Sequence, residues 1–343
     1  MEAESTVERR SNVHRSMNRK SMLISSAVAL FVLFVALSSF GAFSHTATPK
    51  GTEVSALTTA RYGTVLVAGR SDHLLNHFPL YEFSGDRAGH LGCGTAKTKG
   101  YDLGANVTVA LTCTGPQSDL LNDVSSDDWP ALTSKARPVA GPGVNPKLLG
   151  RIYRRGIGYQ VTYGGHPLYL FDQSSKPFDP QGEGYVETVS PLPPWHGFWF
   201  LVNAVSGAPA ANVATMEPGT LPNGKKVMSV MMDEDVASSL ITTYHSSDTA
   251  PVTSCDVQCS VDWVPVYSSV VPIVHGFDTT LFGLRRVANG ASAVTYRGSL
   301  LYVDANEKVL FASSGKVERG GTSCNGEGAS GPGGTMLTIG VAS

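Results

Sequence analysis

The chain has little charge and almost none of it is clustered. Asp, Glu, Lys and Arg make up 16% of 343 residues, and the formal net charge is −2. The first 20 residues hold five of the 26 basic and three of the 28 acidic side chains. The remainder therefore carries 21 basic and 25 acidic groups, a balance of −4. Beyond that head no lysine- or arginine-rich run occurs, which excludes the electrostatic footprint of a nucleic-acid-binding protein. The Gly-x-Ser-x-Gly elbow of hydrolases is missing. Gly320–Gly334 is glycine-rich but lacks the Lys-Ser/Thr pair of a phosphate loop. Past residue 44 no long 3.6-residue period is found, and 37 glycines with 20 prolines argue against long helices. Cysteine is scarce too, with five residues: Cys93, Cys113, Cys255, Cys259 and Cys324.

One long apolar run is present. Residues 22–44 contain no charged side chain, long enough for one helix to cross about 30 Å of hydrocarbon. Arg9, Arg10, Arg15, Arg19 and Lys20 precede it, so residues 1–21 read as a basic cytoplasmic head, with everything after residue 44 outside. A retained single-pass anchor is one reading. A cleaved signal segment is the other, since Ser39, Gly41, Ala42 and Ser44 permit cleavage. An exterior location allows disulfides; Cys255–Cys259 and Cys93–Cys113 are the candidate pairs, with Cys324 left over.

The rest reads as short strands. Thr64–Ala68, Leu80–Phe83, Tyr159–Tyr163, Pro167–Phe171 and Phe198–Val202 are β-branched or aromatic runs bounded by Gly, Pro and Asp. The expected class is all-β, with two homologous β-rich modules, sandwich- or barrel-like, behind the N-terminal helix. The duplication is explicit. Val161–Tyr169 is VTYGGHPLY and Val294–Tyr302 is VTYRGSLLY, matching at six of nine positions with an offset of 133. Gly150 and Gly283 keep that offset, and Trp129-Pro130 and Trp263-Val264-Pro265 precede them. The glycine loops Gln181–Gly184 and Asn325–Gly328 each lead toward a closing strand. The expected layout is a spacer over 45–60, a β module over 61–205, a linker over 206–224 and a second β module over 225–343.

A finer pattern recurs: Tyr81-x-Phe83-x-x-Asp86, then Tyr169-x-Phe171, Tyr244 with Asp248, and Tyr302 with Asp304. With Cys255-x-x-x-Cys259 ahead of Trp263, it resembles the bacterial secreted-repeat family of predicted lipoproteins, described by a Tyr-x-(Phe/Trp/Tyr)-x-x-Asp motif. The likeness covers 61–205 and 225–341, with Val264 read as an insertion before Pro265 and no lipid-anchor cysteine. It implies a repeated envelope module and no particular activity. Physically, Tyr81 and Phe83 lie two apart on one strand face and can both enter a core, while Asp86 suits a turn as an acceptor of backbone N–H groups.

Several constellations could carry chemistry. His73-x3-His77-x12-His90-x2-Cys93 offers four zinc or copper ligands, although Pro79 interrupts any helix there. Cys255-x3-Cys259 lacks the Cys-x-x-Cys spacing of redox pairs. His166 and His196 have no nucleophile beside them in sequence, and Asp127-Asp128 and Asp233-Glu234-Asp235 read as solvated loops. Trp195 and Trp199 flank a stretch that could stack on a sugar or peptide, with burial expected for Trp199. The expectation is a membrane-tethered or secreted binding or structural module, with no catalysis and no cofactor, whose ligand is cell wall, glycan or protein. The alternative is an envelope metal or redox protein using His73, His77, His90 and Cys93.

Overall fold

The computed structural model describes residues 50–69, 75–86, 91–99, 108–117, 129–172, 174, 176–187, 197–210, 215–221, 223–231, 240–247, 262–305 and 327–341. Twenty-three strands and one three-residue 3-10 helix, Thr279–Leu281, make up the regular structure among these residues. The all-β expectation holds for the described chain. No helix among the described residues is long and apolar enough to cross a membrane; the run 22–44 lies outside them.

The same strand pairings occur twice. Glu53–Thr59 pairs antiparallel with Gly63–Ala68 and parallel with Val139–Ala140. Thr215–Thr220 pairs antiparallel with Lys226–Met231 and parallel with Ile273–Val274. The hairpin Leu149–Arg154 with Gly158–Tyr163 puts Gly150 opposite Thr162, and Phe282–Arg286 with Ser292–Tyr296 puts Gly283 opposite Thr295. Tyr81–Phe83 lies against Gly197–Leu201 with Tyr81 opposite Leu201, and Tyr244–Ser246 lies against Gly334–Thr338 with Tyr244 opposite Thr338. Tyr81 bridges Tyr169, and Tyr244 bridges Tyr302.

Backbone bonds also settle the place of Val264. Leu132 N–H donates to the Leu168 carbonyl and Val161 N–H to that of Leu132; Val266 to Leu301 and Val294 to Val266 are the matching bonds. Counting back, Trp263 takes the place of Trp129 and Val264 that of Pro130. Nothing is inserted, contrary to the sequence reading.

Two boundaries need correction. The strand Glu53–Thr59, with Val54 and Ser55 buried, falls inside the expected spacer 45–60. Its mixed threonine, serine and glutamate content disguises a sheet whose second edge is covered by Val139–Ala140. The expected linker 206–224 contains the strand Thr215–Thr220, and Ala210 N–H donates to the Leu201 carbonyl. Pro218 and Gly219 look like a turn in sequence. Beyond Met216, however, the outer edge of that strand carries no partner strand among the described residues, and proline is tolerated at such an edge. Residues 48–343 form one unit.

Three apolar clusters fill it. Tyr81, Phe83, Trp129, Tyr169, Phe171, Trp199 and Leu201 belong to one. Their strand neighbours Leu80, Leu168 and Leu170 belong to a second, on the opposite sheet face, as the two-residue period requires. Phe198 and Phe200 point away from Trp199 and join Tyr244, Trp263, Tyr267, Tyr302 and Met336 in the third. At about 1.5–3 kcal/mol for a fully buried aromatic or large aliphatic side chain, these motif residues are a main source of stability.

Candidate functional site

Around the indole of Trp129 the rings are closely packed. Trp199 stacks on it at 3.8 Å and Phe171 at 4.4 Å, while Tyr81 meets it edge-on at 5.4 Å. A Cβ placed on Gly182 would lie 2.6 Å from the Trp129 ring, so glycine is required there. Burial of Trp199 is as expected; Trp195 and His196 lie outside the described residues. The repeat-motif residues Tyr81, Phe83, Tyr169, Phe171, Tyr244 and Tyr302 are all buried. Asp248 lies outside the described residues.

Asp86 does more than cap a turn. Its Oδ1 accepts N–H bonds from Gly92 (2.7 Å) and Cys93 (3.2 Å), and its Oδ2 accepts the Tyr169 hydroxyl (2.6 Å). The Arg154 guanidinium then donates to the Tyr169 oxygen (3.0 Å), to Gln160 Oε1 (2.8 Å) and to the Cys93 carbonyl. Gln160 Nε2 donates to the Leu168 carbonyl at 2.9 Å. All four side chains are buried. Desolvation pushes the Asp86 carboxyl above its ordinary range, against the pull of the Tyr169 and backbone donors and of Arg154. Burial raises the Tyr169 hydroxyl well above its usual value.

Of this network Arg154 lines a cleft of about 460 Å³, together with residues that include Leu91, Thr114, Tyr153, Arg155 and Ile157. Arg154 ends one hairpin strand and is buried, while Arg155 opens the turn through Gly156 and is exposed. Thr114 is buried, and its hydroxyl has no hydrogen-bond partner. The neighbouring Cys93–Cys113 disulfide, with Cα atoms 5.3 Å apart, ties the two wall segments together. A second cleft, of about 390 Å³, lies between Tyr62, Asn203 and Ser206 on one side and Ser268, Arg286 and Ser292 on the other.

Two buried glutamates were not read from sequence. Glu183 Oε2 accepts the Leu201 N–H (2.5 Å), as Glu327 Oε2 accepts that of Thr338 (2.6 Å). Gly184 and Gly328 follow with φ of 75° and 80°, and donate to the Trp199 and Met336 carbonyls. The repeated Gly-Glu-Gly was the visible clue. Burial lifts the Glu183 carboxyl to about 8. Glu82 is buried, its Oε2 has no hydrogen-bond partner, and desolvation, then Glu183 and Asp86, push it well above the carboxylate range. Its place between Tyr81 and Phe83 turns it away from their core.

The proposed metal ligands lose their thiolate. Cys93 is consumed by its bond to Cys113, which removes the thiolate a metal would need. His73 and His90 lie outside the described residues, and His77 sits in a turn with φ of 62°. Among the described residues, no three His, Cys, Asp or Glu side chains are grouped to hold an ion. Cys255, Cys259 and Cys324 lie outside the described residues. Burial lowers the His166 imidazole.

No family model, curated protein or solved structure matches the chain.

Proposed function

We propose that the chain is an envelope repeat protein of two homologous β modules, held on the outer side of a membrane by residues 22–44 or released by cleavage there. It serves as a binding or structural module without chemistry of its own, for a cell-wall, glycan or protein ligand. The recurrence of one set of strand pairings in 50–210 and 215–341 supports duplication. The observation that carries the non-catalytic reading is the fate of the motif residues. Tyr81, Phe83, Tyr169 and Phe171 enter a core, and Asp86 is engaged by Tyr169, Gly92 and Cys93. The likeness to secreted-repeat lipoproteins adds the envelope setting.

The test uses the full chain on intact cells. Protease added outside should digest the part after residue 44, and the protein should co-sediment with isolated wall polymer. Protection of that part on intact cells, or its recovery solely as a cytoplasmic protein, sinks the reading.

A further inference from the structure

The two sets of strands differ where they need not. Arg154, Gln160 and Tyr169 correspond, at the 133-residue offset, to Val287, Ala293 and Tyr302. Ile157 N–H donates to the Arg154 carbonyl as Gly290 N–H does to that of Val287, so the two turns are of equal length, although their left-handed residues differ: Gly156 and Gly158 in the first, Gly290 in the second. Val287 and Ala293 sit in an apolar cluster, and the Tyr302 hydroxyl is left without a hydrogen-bond partner. The architecture therefore closes without the guanidinium and the amide. Buried charged networks are often replaceable by apolar packing at no cost in stability. Their retention beside an open cleft calls for another reason.

We propose that the cleft beside Arg154 binds a small organic carboxylate carried on an apolar or aromatic body. Arg154 has five N–H donors and uses three, on Gln160, Tyr169 and Cys93, which leaves two for a ligand. Its orientation is fixed in advance by those partners, so little rotamer entropy is lost on binding. Arg155 at the rim makes no hydrogen bond or ion pair among the described residues. No acidic side chain is among the residues lining the cleft. Thr114 supplies a buried hydroxyl with nothing yet to bond. Planar guanidinium forks match a carboxylate. Leu91 and Tyr153, 37% and 68% exposed, offer surface for an apolar body. The volume of about 460 Å³ falls in the range of small-molecule sites.

This inference rests on the binding-module reading and narrows it. Full-length chain in detergent micelles is titrated calorimetrically with N-acetyl-L-phenylalanine, with its carboxamide and with inorganic phosphate. The expected result is saturable one-to-one binding of the acid, with the amide and phosphate weaker by about tenfold or more. Arg155→Ala and Arg155→Glu should weaken the acid about tenfold or more at unchanged Tm, because this side chain is exposed. Thr114→Val should weaken it several-fold. Binding of phosphate or amide as tight as the acid, no saturation at millimolar acid, or indifference to both Arg155 changes would overturn the proposal. None of these outcomes bears on exposure outside the cell or on wall co-sedimentation, so the broader reading would stand or fall separately.

Discussion

Residues 50–210 and 215–341 solve one packing problem with different materials. In the first, Trp129 stacks on Trp199; in the second, Trp263 meets Tyr244 edge-on at 5.3 Å, and its indole N–H donates to the Ser330 carbonyl at 3.1 Å. The first buries an arginine, a glutamine and an aspartate around a tyrosine hydroxyl; in the second, Val287 and Ala293 stand where that arginine and glutamine were. Glu183 is buried, whereas Glu327, making the same bond, is exposed. The backbone pattern is thus set by strand register and a few glycines. The buried polar groups are a separate layer, present in one half and in part absent from the other among the described residues.

That contrast can be broken most forcefully at Arg154. Arg154→Ala should destabilise the fold by about 3–5 kcal/mol in urea denaturation, because it strands Asp86, Gln160 and Tyr169. Arg154→Val with Gln160→Ala and Asp86→Asn, which copies the apolar solution at two positions, should lose less than Arg154→Ala alone. An equal or greater loss would show that the polar layer is integral to the first half.

Proton linkage separates the halves next. Glu183, Glu82 and Asp86 all have raised pKa values, so the folded chain holds protons that the unfolded chain gives up. Stability from these groups is therefore fullest below the ordinary carboxylate range. For Glu183 it falls as pH rises from there to about 8, at up to about 1.4 kcal/mol per pH unit. Thermal melts from pH 5 to 8 should show Tm falling, and Glu183→Gln should flatten the slope. A Tm that rises over this range would refute the assignment.

The two tyrosines sharpen it further. Tyr169→Phe should cost about 1–3 kcal/mol by leaving Asp86 and Arg154 short of a partner. Tyr302→Phe removes a hydroxyl that bonds to nothing and should be neutral or slightly stabilising. Equal losses would mean that the hydroxyls are equivalent. The smallest effect is expected at the hairpin turn. Arg297, with φ of 50°, takes the place of Gly164, with φ of 60°. Arg297→Gly should stabilise by up to about 1 kcal/mol, since side chains disfavour this region.

Much of this was open to inspection in the sequence. Strand alternation placed Tyr81, Phe83, Tyr169 and Phe171 inside, and the offset of 133 carried over to the hairpin registers unaltered. Asp86 was read as an acceptor of backbone N–H groups, which it is, but its bond to Tyr169 spans 83 residues, beyond any local pattern. Arg154 did not stand out, because neighbouring residues cannot tell that Cys93 will sit across from it. The His73–Cys93 spacing suggested ligands, and the Cys113 sulfur, 20 residues on, has claimed one of them. The strands Glu53–Thr59 and Thr215–Thr220 were hidden by polar or turn-forming residues that only pairing makes acceptable.

The strand Gly197–Leu201 has no idle side. Trp199 and Leu201 serve the first half, while Phe198 and Phe200 serve the second, with Phe200 5.4 Å from the Tyr267 ring. Severing the chain between residues 206 and 224 would strip cover from two phenylalanines and leave a sticky fragment on each side of the cut. Heating should accordingly give a single calorimetric peak, with both halves melting in concert and no half-folded plateau between them.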